Sequence, residues 1–326
     1  MRIIIYGAGG VGGTLAGRLA QAGSEVAAIA RGAHLEKIRA AGLTLFTPEQ
    51  KIVVDLPVYG HPSELQFTPD DVVILCMKSQ HTQQALQDLM SAAGASIPVV
   101  CCQNGVANES MASQSFERVY GMVVILPGLH LEPGVVANHA TGGGILDTGC
   151  FPTGVDKLTH ELTRELRRVG FSAEPDERIM RWKYAKLLMN LGNSLQAATH
   201  MADGWRDISR LLREEALACY EAADIDCATA QEVKDRRSIE APDFGAKIKG
   251  IERVGGSTLQ SIMRGTGNVE SDYLNGEIVR LGQQYNVPTP ANRVLQEVGN
   301  EMAAQRLEIG SFTVNQILQR IRAQPA

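Results

Sequence analysis

The chain begins Arg2-Ile3-Ile4-Ile5-Tyr6 and then turns through Gly7-Ala8-Gly9-Gly10-Val11-Gly12. That junction limits the fold more than any other part of the sequence. A short β-branched run feeding G-x-G-x-x-G reads as a strand, a tight turn and the start of a helix. The first glycine serves the turn, and the second lets a ligand approach the backbone. The third lets the helix pack close to the strand, with its N-terminal N–H groups aimed at a phosphate. A helix over 14–22 ending at Gly23, then the apolar run Val26-Ala27-Ala28-Ile29-Ala30, continue the unit. The reading is the opening of a dinucleotide-binding domain, with contacts expected at Gly7, Gly9, Gly10, Val11 and Gly12.

The end of the second strand indicates which dinucleotide. An NAD site usually carries an acid there, about 20 residues past the glycines, to accept from the ribose 2′-hydroxyl. This chain has Arg31-Gly32 instead, and the next carboxylate is Glu36. A guanidinium grips a 2′-phosphate in a charge-assisted fork, where a carboxylate would repel it. NADP(H) is therefore expected over NAD.

With 326 residues, 44% of them hydrophobic, the chain can bury two cores. A net charge of −5 argues against nucleic-acid or membrane-surface partners. Neither a signal peptide nor an apolar run near the ~20 residues of a membrane span is read from it, so a cytoplasmic location is expected. The 6 cysteines form no C-x-x-C pair and read as reduced thiols. The 7 histidines lack ligand spacing, and no metal is expected.

Residues 1–172 alternate strand and helix signals. A hairpin is expected over 43–46 and 51–58, further strands over 72–77, 98–102, 119–126, 135–138 and 144–146, and helices over 81–90 and 155–168. From Glu174 onward a 3.6-residue period takes over, giving helices over 177–200, 206–223, 227–236, 242–254, 270–285, 290–306 and 313–323. The expected class is α/β: a doubly wound parallel sheet over 1–172, then an all-α domain over 173–326.

Ligand sites in such folds lie beyond the carboxyl ends of the strands. Lys78 follows one strand and Gln103-Asn104-Gly105 another. They suit a phosphate and a nicotinamide ribose or substrate, although Asn-Gly also makes an ordinary turn. On the first long helix of the second half, Lys183, Lys186, Asn190 and Asn193 recur at one-face spacing. The same stripe would suit a solvated helix face. Ser257 and Glu270 are the remaining candidates, and Glu270 at a helix start is equally a capping group.

Together these residues resemble the ketopantoate reductase (2-dehydropantoate 2-reductase) family over nearly the whole chain. The resemblance rests on the glycine loop, Arg31, Lys78, Gln103-Asn104-Gly105, Lys186…Asn190, Ser257-x-x-Gln260 and Glu270-x-Asp272-Tyr273-Leu274-Asn275-Gly276. It implies a Rossmann-type domain followed by an all-α domain and a small 2-oxo acid substrate. It further implies Lys186 as the catalytic lysine and Glu270 as the carboxylate holding the substrate hydroxyl. Asn104, Asn190, Asn193 and Ser257 would be substrate contacts, with Arg31, Lys78 and Asn104 attending NADP(H). Three features depart from the family pattern. Ser194 stands where a second helix asparagine is usual, Trp182 lies four residues before Lys186 rather than two, and Val123-Val124-Ile125-Leu126-Pro127-Gly128 replaces smaller and hydroxyl-bearing residues. The shifted Trp182 makes Lys183 a rival lysine, although Lys-Leu-x-x-Asn is intact only from Lys186. The expected activity is NADPH-dependent reduction of ketopantoate. Reduction of another 2-oxo acid and a non-catalytic NADP(H)-binding regulator are the alternatives, and a homodimer is a further possibility.

Overall fold

The computed structural model describes residues 1–240, 242–265 and 267–324. The chain runs β1 (Arg2–Tyr6), α1 (Gly10–Gln21), β2 (Val26–Ile29), α2 (Gly32–Ala41), β3 (Leu43–Phe46), β4 (Lys51–Val54), β5 (Val58–Tyr59) and β6 (Asp71–Leu75). It continues α3 (Thr82–Ala93), β7 (Val99–Cys101), α4 (Asn108–Ser113), β8 (Val119–Met122), β9 (Gly128–Glu132), β10 (Val135–Asn138), β11 (Thr148–Cys150) and α5 (Lys157–Arg168). Helices follow: α6 (Ile179–Asn190), α7 (Asn193–Thr199), α8 (Trp205–Ala222), α9 (Ala230–Ser238), α10 (Ser257–Met263), α11 (Asn275–Tyr285), α12 (Pro290–Gln305) and α13 (Val314–Arg322).

Ile3, Ile4 and Ile5 are all but inaccessible to solvent, as a strand covered on both faces requires. Their alternation divides them between two cores: Ile3 and Ile5 join Ala28, Ile74 and Cys102, while Ile4 joins Ile29, Leu75 and Cys101. The 7-stranded sheet has the order β11-β8-β7-β6-β1-β2-β5 and is parallel apart from β11. This is the doubly wound α/β arrangement. A second, 4-stranded sheet, β4-β3-β10-β9, packs on α1. Glycines on α1 permit the approach: a Cβ at Gly13 would lie 2.9 Å from Val136 Cγ1.

Several local expectations change. The strand expected over 51–58 divides, β4 pairing with β3 and β5 joining β2 in the other sheet; Pro57 lies between them. The helix expected from 14 starts at Gly10, inside the glycine motif. Beyond Met122 the strand expected over 119–126 persists only as a bridge from Ile125 to Ile145. The helix over 177–200 breaks after Asn190 and restarts behind Gly192. Residues 242–254 form no helix, being interrupted by Pro242, Gly245 and Gly250, the last at φ +78°.

Two compact units result: Met1–Asn104, Asn108–Lys183 and Ala230–Arg253 form one, and Gly105–Ala107, Tyr184–Thr229 and Val254–Ala326 the other. Residues 230–253 join the sheet-bearing unit through specific polar bonds. Arg236 forks onto the buried Asp147 (Nε to Oδ2 2.7 Å) and donates to Ser172 Oγ at 3.0 Å. Burial pushes the Asp147 carboxyl up, and Arg236 opposes that shift. The second unit is helical, with α7 against α10 and α12, and α11 against α8 and α12. Among the described residues, no helix is long and apolar enough to cross a membrane.

Candidate functional site

The glycine loop is crowded on its protein side and open at one position. A Cβ on Gly12 would sit 2.1 Å from Gly7 O, and one on Gly7, at φ +105°, would sit 2.8 Å from Met77 N. A Cβ on Gly10 would sit 2.9 Å from Gly128 C, and Val11 is half-buried. A Cβ on Gly9, the residue before α1, would meet nothing within 4 Å. The free space therefore lies at the start of a helix, where backbone N–H groups and the dipole favour an anion. His34 ties the loop down. Gly134 N–H donates to its Nδ1 at 2.9 Å, so Nε2 carries the proton and donates to Ala8 O at 2.8 Å. Burial lowers the His34 pKa and so favours this neutral ring.

Because β1 lies between β6 and β2, the glycine loop is flanked by the turns that follow those strands. Arg31 begins α2 after β2, is exposed, and places Nη2 3.1 Å from His81 Nε2. Lys78 precedes the short turn Ser79–His81 after β6. Burial first, then Arg31 and Lys78, lower the His81 pKa. Arg31 and Lys78 thus form an electropositive pair, with His81 held toward its neutral form beside them. Sequence reasoning found the first two and missed His81, whose signal was its place in the same turn as Lys78.

Asn104 belongs to a tied turn. Its carbonyl accepts from Asn108 Nδ2 at 3.1 Å and from Ser79 Oγ at 3.3 Å. Gln103 Nε2 reaches Met77 O at 3.0 Å and Thr82 Oγ1 at 2.7 Å. Lys183 is 3% exposed and its Nζ donates to Cys101 O at 3.0 Å and Gln103 O at 3.1 Å, while pairing with the buried Glu109. Its three N–H donors are all engaged. Lys183 therefore has no donor left for a reacting oxygen.

In the helical unit, Lys186 is half-buried on α6 and Asn190, at the end of that helix, is 6% exposed. Asn193 opens α7 and reaches Ser257 Oγ with its Nδ2 at 3.4 Å. Glu270 is buried and precedes the turn Ser271–Tyr273 instead of lying inside a helix. Ser271 Oγ meets Ser194 Oγ at 3.0 Å, and a Cβ on Gly299 would lie 2.1 Å from it. Ser194, which departs from the family pattern, thus anchors the residue next to Glu270. Asp272 and Asn275 act structurally: Asp272 accepts from Gln296 and Asn300, and Asn275 donates to Leu191 O and Asn292.

Residues 3–153 match the family model described as ketopantoate reductase PanE/ApbA, and residues 178–303 match its C-terminal counterpart. A solved PanE/ApbA family ketopantoate reductase from Ralstonia eutropha JMP134 is 30% identical, with 94% of this chain and 99% of that one covered and a TM-score of 0.79. The 2-dehydropantoate 2-reductase of Pyrococcus horikoshii is 29% identical over 90% of this chain and 95% of its own length. A D-mandelate dehydrogenase solved with NADH and anilino(oxo)acetate shares the fold at 23% identity, TM-score 0.78, with 94% of this chain and 99% of that one covered.

Proposed function

The chain belongs to the ketopantoate reductase PanE/ApbA family, and from that premise we propose that it reduces the C2 carbonyl of ketopantoate to give pantoate, with NADPH as reductant. The observation that carries the cofactor choice is the electropositive pair of Arg31 and Lys78, with His81 between them, beside a glycine loop open at Gly9. Residues 1–172 are assigned to the cofactor, and residues 173–326 to most of the substrate and catalytic groups.

The cradle suits a dinucleotide diphosphate: open at Gly9, bordered by helix N–H groups, and without a carboxylate at the end of β2. Arg31 would hold the 2′-phosphate in a charge-assisted pair and Lys78 would neutralise phosphate charge. NADPH, when bound, supplies the hydride. The Lys186 ammonium would stabilise the charge growing on the C2 oxygen and deliver the proton there, a contribution of about 10²–10⁴-fold for general acid catalysis. Glu270 would accept from the substrate hydroxyl, and Asn190, Asn193, Ser257 and Asn104 would orient the polar groups of the acid.

Lys186→Ala tests the assignment. Affinity for NADPH should persist while reduction falls by about 10²–10⁴-fold. Turnover equal to wild type would remove Lys186 from the reaction.

A further inference from the structure

The lysine that the chemistry does not use is itself unusual. A lysine 3% exposed beside a glutamate at 0% takes two charges out of water, and such a pair is often no more stable than apolar residues of the same volume. Stability alone is therefore a weak reason for it. Its location gives a better one. The Cys101 and Gln103 carbonyls lie where β7 ends, and Glu109 belongs to α4 just beyond the Asn104 turn. One ammonium supplies three donors at one point, which neither a neutral side chain nor the flat fork of arginine reproduces.

We propose that Lys183 and Glu109 are a positioning pair, which fixes the Gln103–Asn104 turn so that Asn104 meets the cofactor or substrate already oriented. The inference rests on the reading of Asn104 as a binding residue. The turn is held from both sides. Lys183 grips the carbonyls of residues 101 and 103. Asn108 and Ser79 grip the carbonyl of residue 104, and Thr82 donates to Asn108 Oδ1 at 2.8 Å. Gly105 at φ +81° follows immediately. Ordering the turn before ligand arrives removes a cost that binding would otherwise carry.

The test is a cycle between Lys183→Met/Glu109→Gln, which removes both charges together, and Asn104→Ala, in the full chain. In the charge-free variant, hydrogen exchange of amides over 101–109 should rise while the rest of the sheet keeps its protection. kcat/KM for ketopantoate should fall roughly 10- to 100-fold in the wild-type background, and by less than about twofold once Asn104 is alanine. Additive losses, or unchanged exchange over 101–109, overturn the proposal. Glu109→Gln alone keeps an acceptor for Nζ and should show the same non-additivity with a smaller loss, which covers the case in which the charge-free variant does not fold. If the wild type reduces no 2-oxo acid, the reductase reading fails separately. The same cycle is then read in NADPH affinity together with exchange: non-additive supports the pair, additive overturns it.

Discussion

Alanine at Gly12 and alanine at Gly9 should separate the structural and ligand-facing sides of the glycine loop. At position 12 the new Cβ would lie 2.1 Å from Gly7 O, whereas even a close C–H···O contact needs about 3.3 Å. The helix has to retreat by about 1 Å, and Ile5 Cγ2 at 2.8 Å and Cys76 Cβ at 2.9 Å block that retreat. Overpacking usually costs about 1–3 kcal/mol, and a backbone obstacle places Gly12→Ala at the upper end. For a unit of this size that lowers Tm by about 6–12 °C. At position 9 the Cβ meets nothing within 4 Å, leaving only the preference for glycine over alanine before a helix, about 1 kcal/mol or less. Gly9→Ala should therefore keep Tm within about 4 °C. Its methyl would occupy the phosphate's approach and disturb charge-assisted bonds worth about 1.5–3 kcal/mol, weakening NADPH about 10- to 100-fold. Thermal unfolding and nicotinamide fluorescence titration measure the two effects. NADPH binding by Gly9→Ala at wild-type strength, or equal Tm losses in the two variants, would refute the reasoning.

Other substitutions probe the remaining parts. Arg31→Ala should weaken NADPH about 10- to 100-fold and leave NADH within about twofold, as read by parallel titrations; equal losses would remove the 2′-phosphate role. Because the His81 pKa is lowered from 6.5, its contribution to stability is complete above that pH and is lost as pH falls through the lower folded value. A bound 2′-phosphate would raise that pKa again, so the preference for NADPH over NADH should grow as pH falls toward the lowered value of the free protein; a flat ratio contradicts this. Arg236→Met leaves the buried Asp147 without its counter-charge, with only the Glu174 N–H still donating to it, and denaturant unfolding should show a loss of about 3–5 kcal/mol. A loss below about 1 kcal/mol would mean that residues 230–253 are held chiefly by other contacts.

The parallel sheet was legible because buried strands must be continuously apolar, as at Ile3-Ile4-Ile5 and Val72-Val73-Ile74-Leu75. Of the second sheet, β3, β4 and β10 were expected as strands, but β9 and the pairing of β10 with β3 were not. β9 is short and only Leu129 is well buried, so its pattern carries little signal before its partners are known. α2 escaped for the same reason, burying only Leu35 and Ile38. Among candidate site residues, Gly7 and Gly12 were legible from spacing because their demands are local, a φ of +105° at Gly7 and the Gly7 carbonyl against Gly12, whereas Gly9 leaves open space. Lys183 was misleading: its helical spacing placed it in a stripe with Lys186, but its partners Cys101, Gln103 and Glu109 are about 80 residues away in sequence. His81 was missed because its relation to Arg31 arises only when β2 and β6 take their places beside β1.

The most direct test of the central claim is oxidation of NADPH by the purified chain with ketopantoate, alongside a panel of other 2-oxo acids and with NADH in parallel. The account predicts the highest kcat/KM for ketopantoate with NADPH. Tight NADPH binding without oxidation by any acid would contradict the assignment as a reductase, and preference for another acid would contradict the assignment of ketopantoate as substrate.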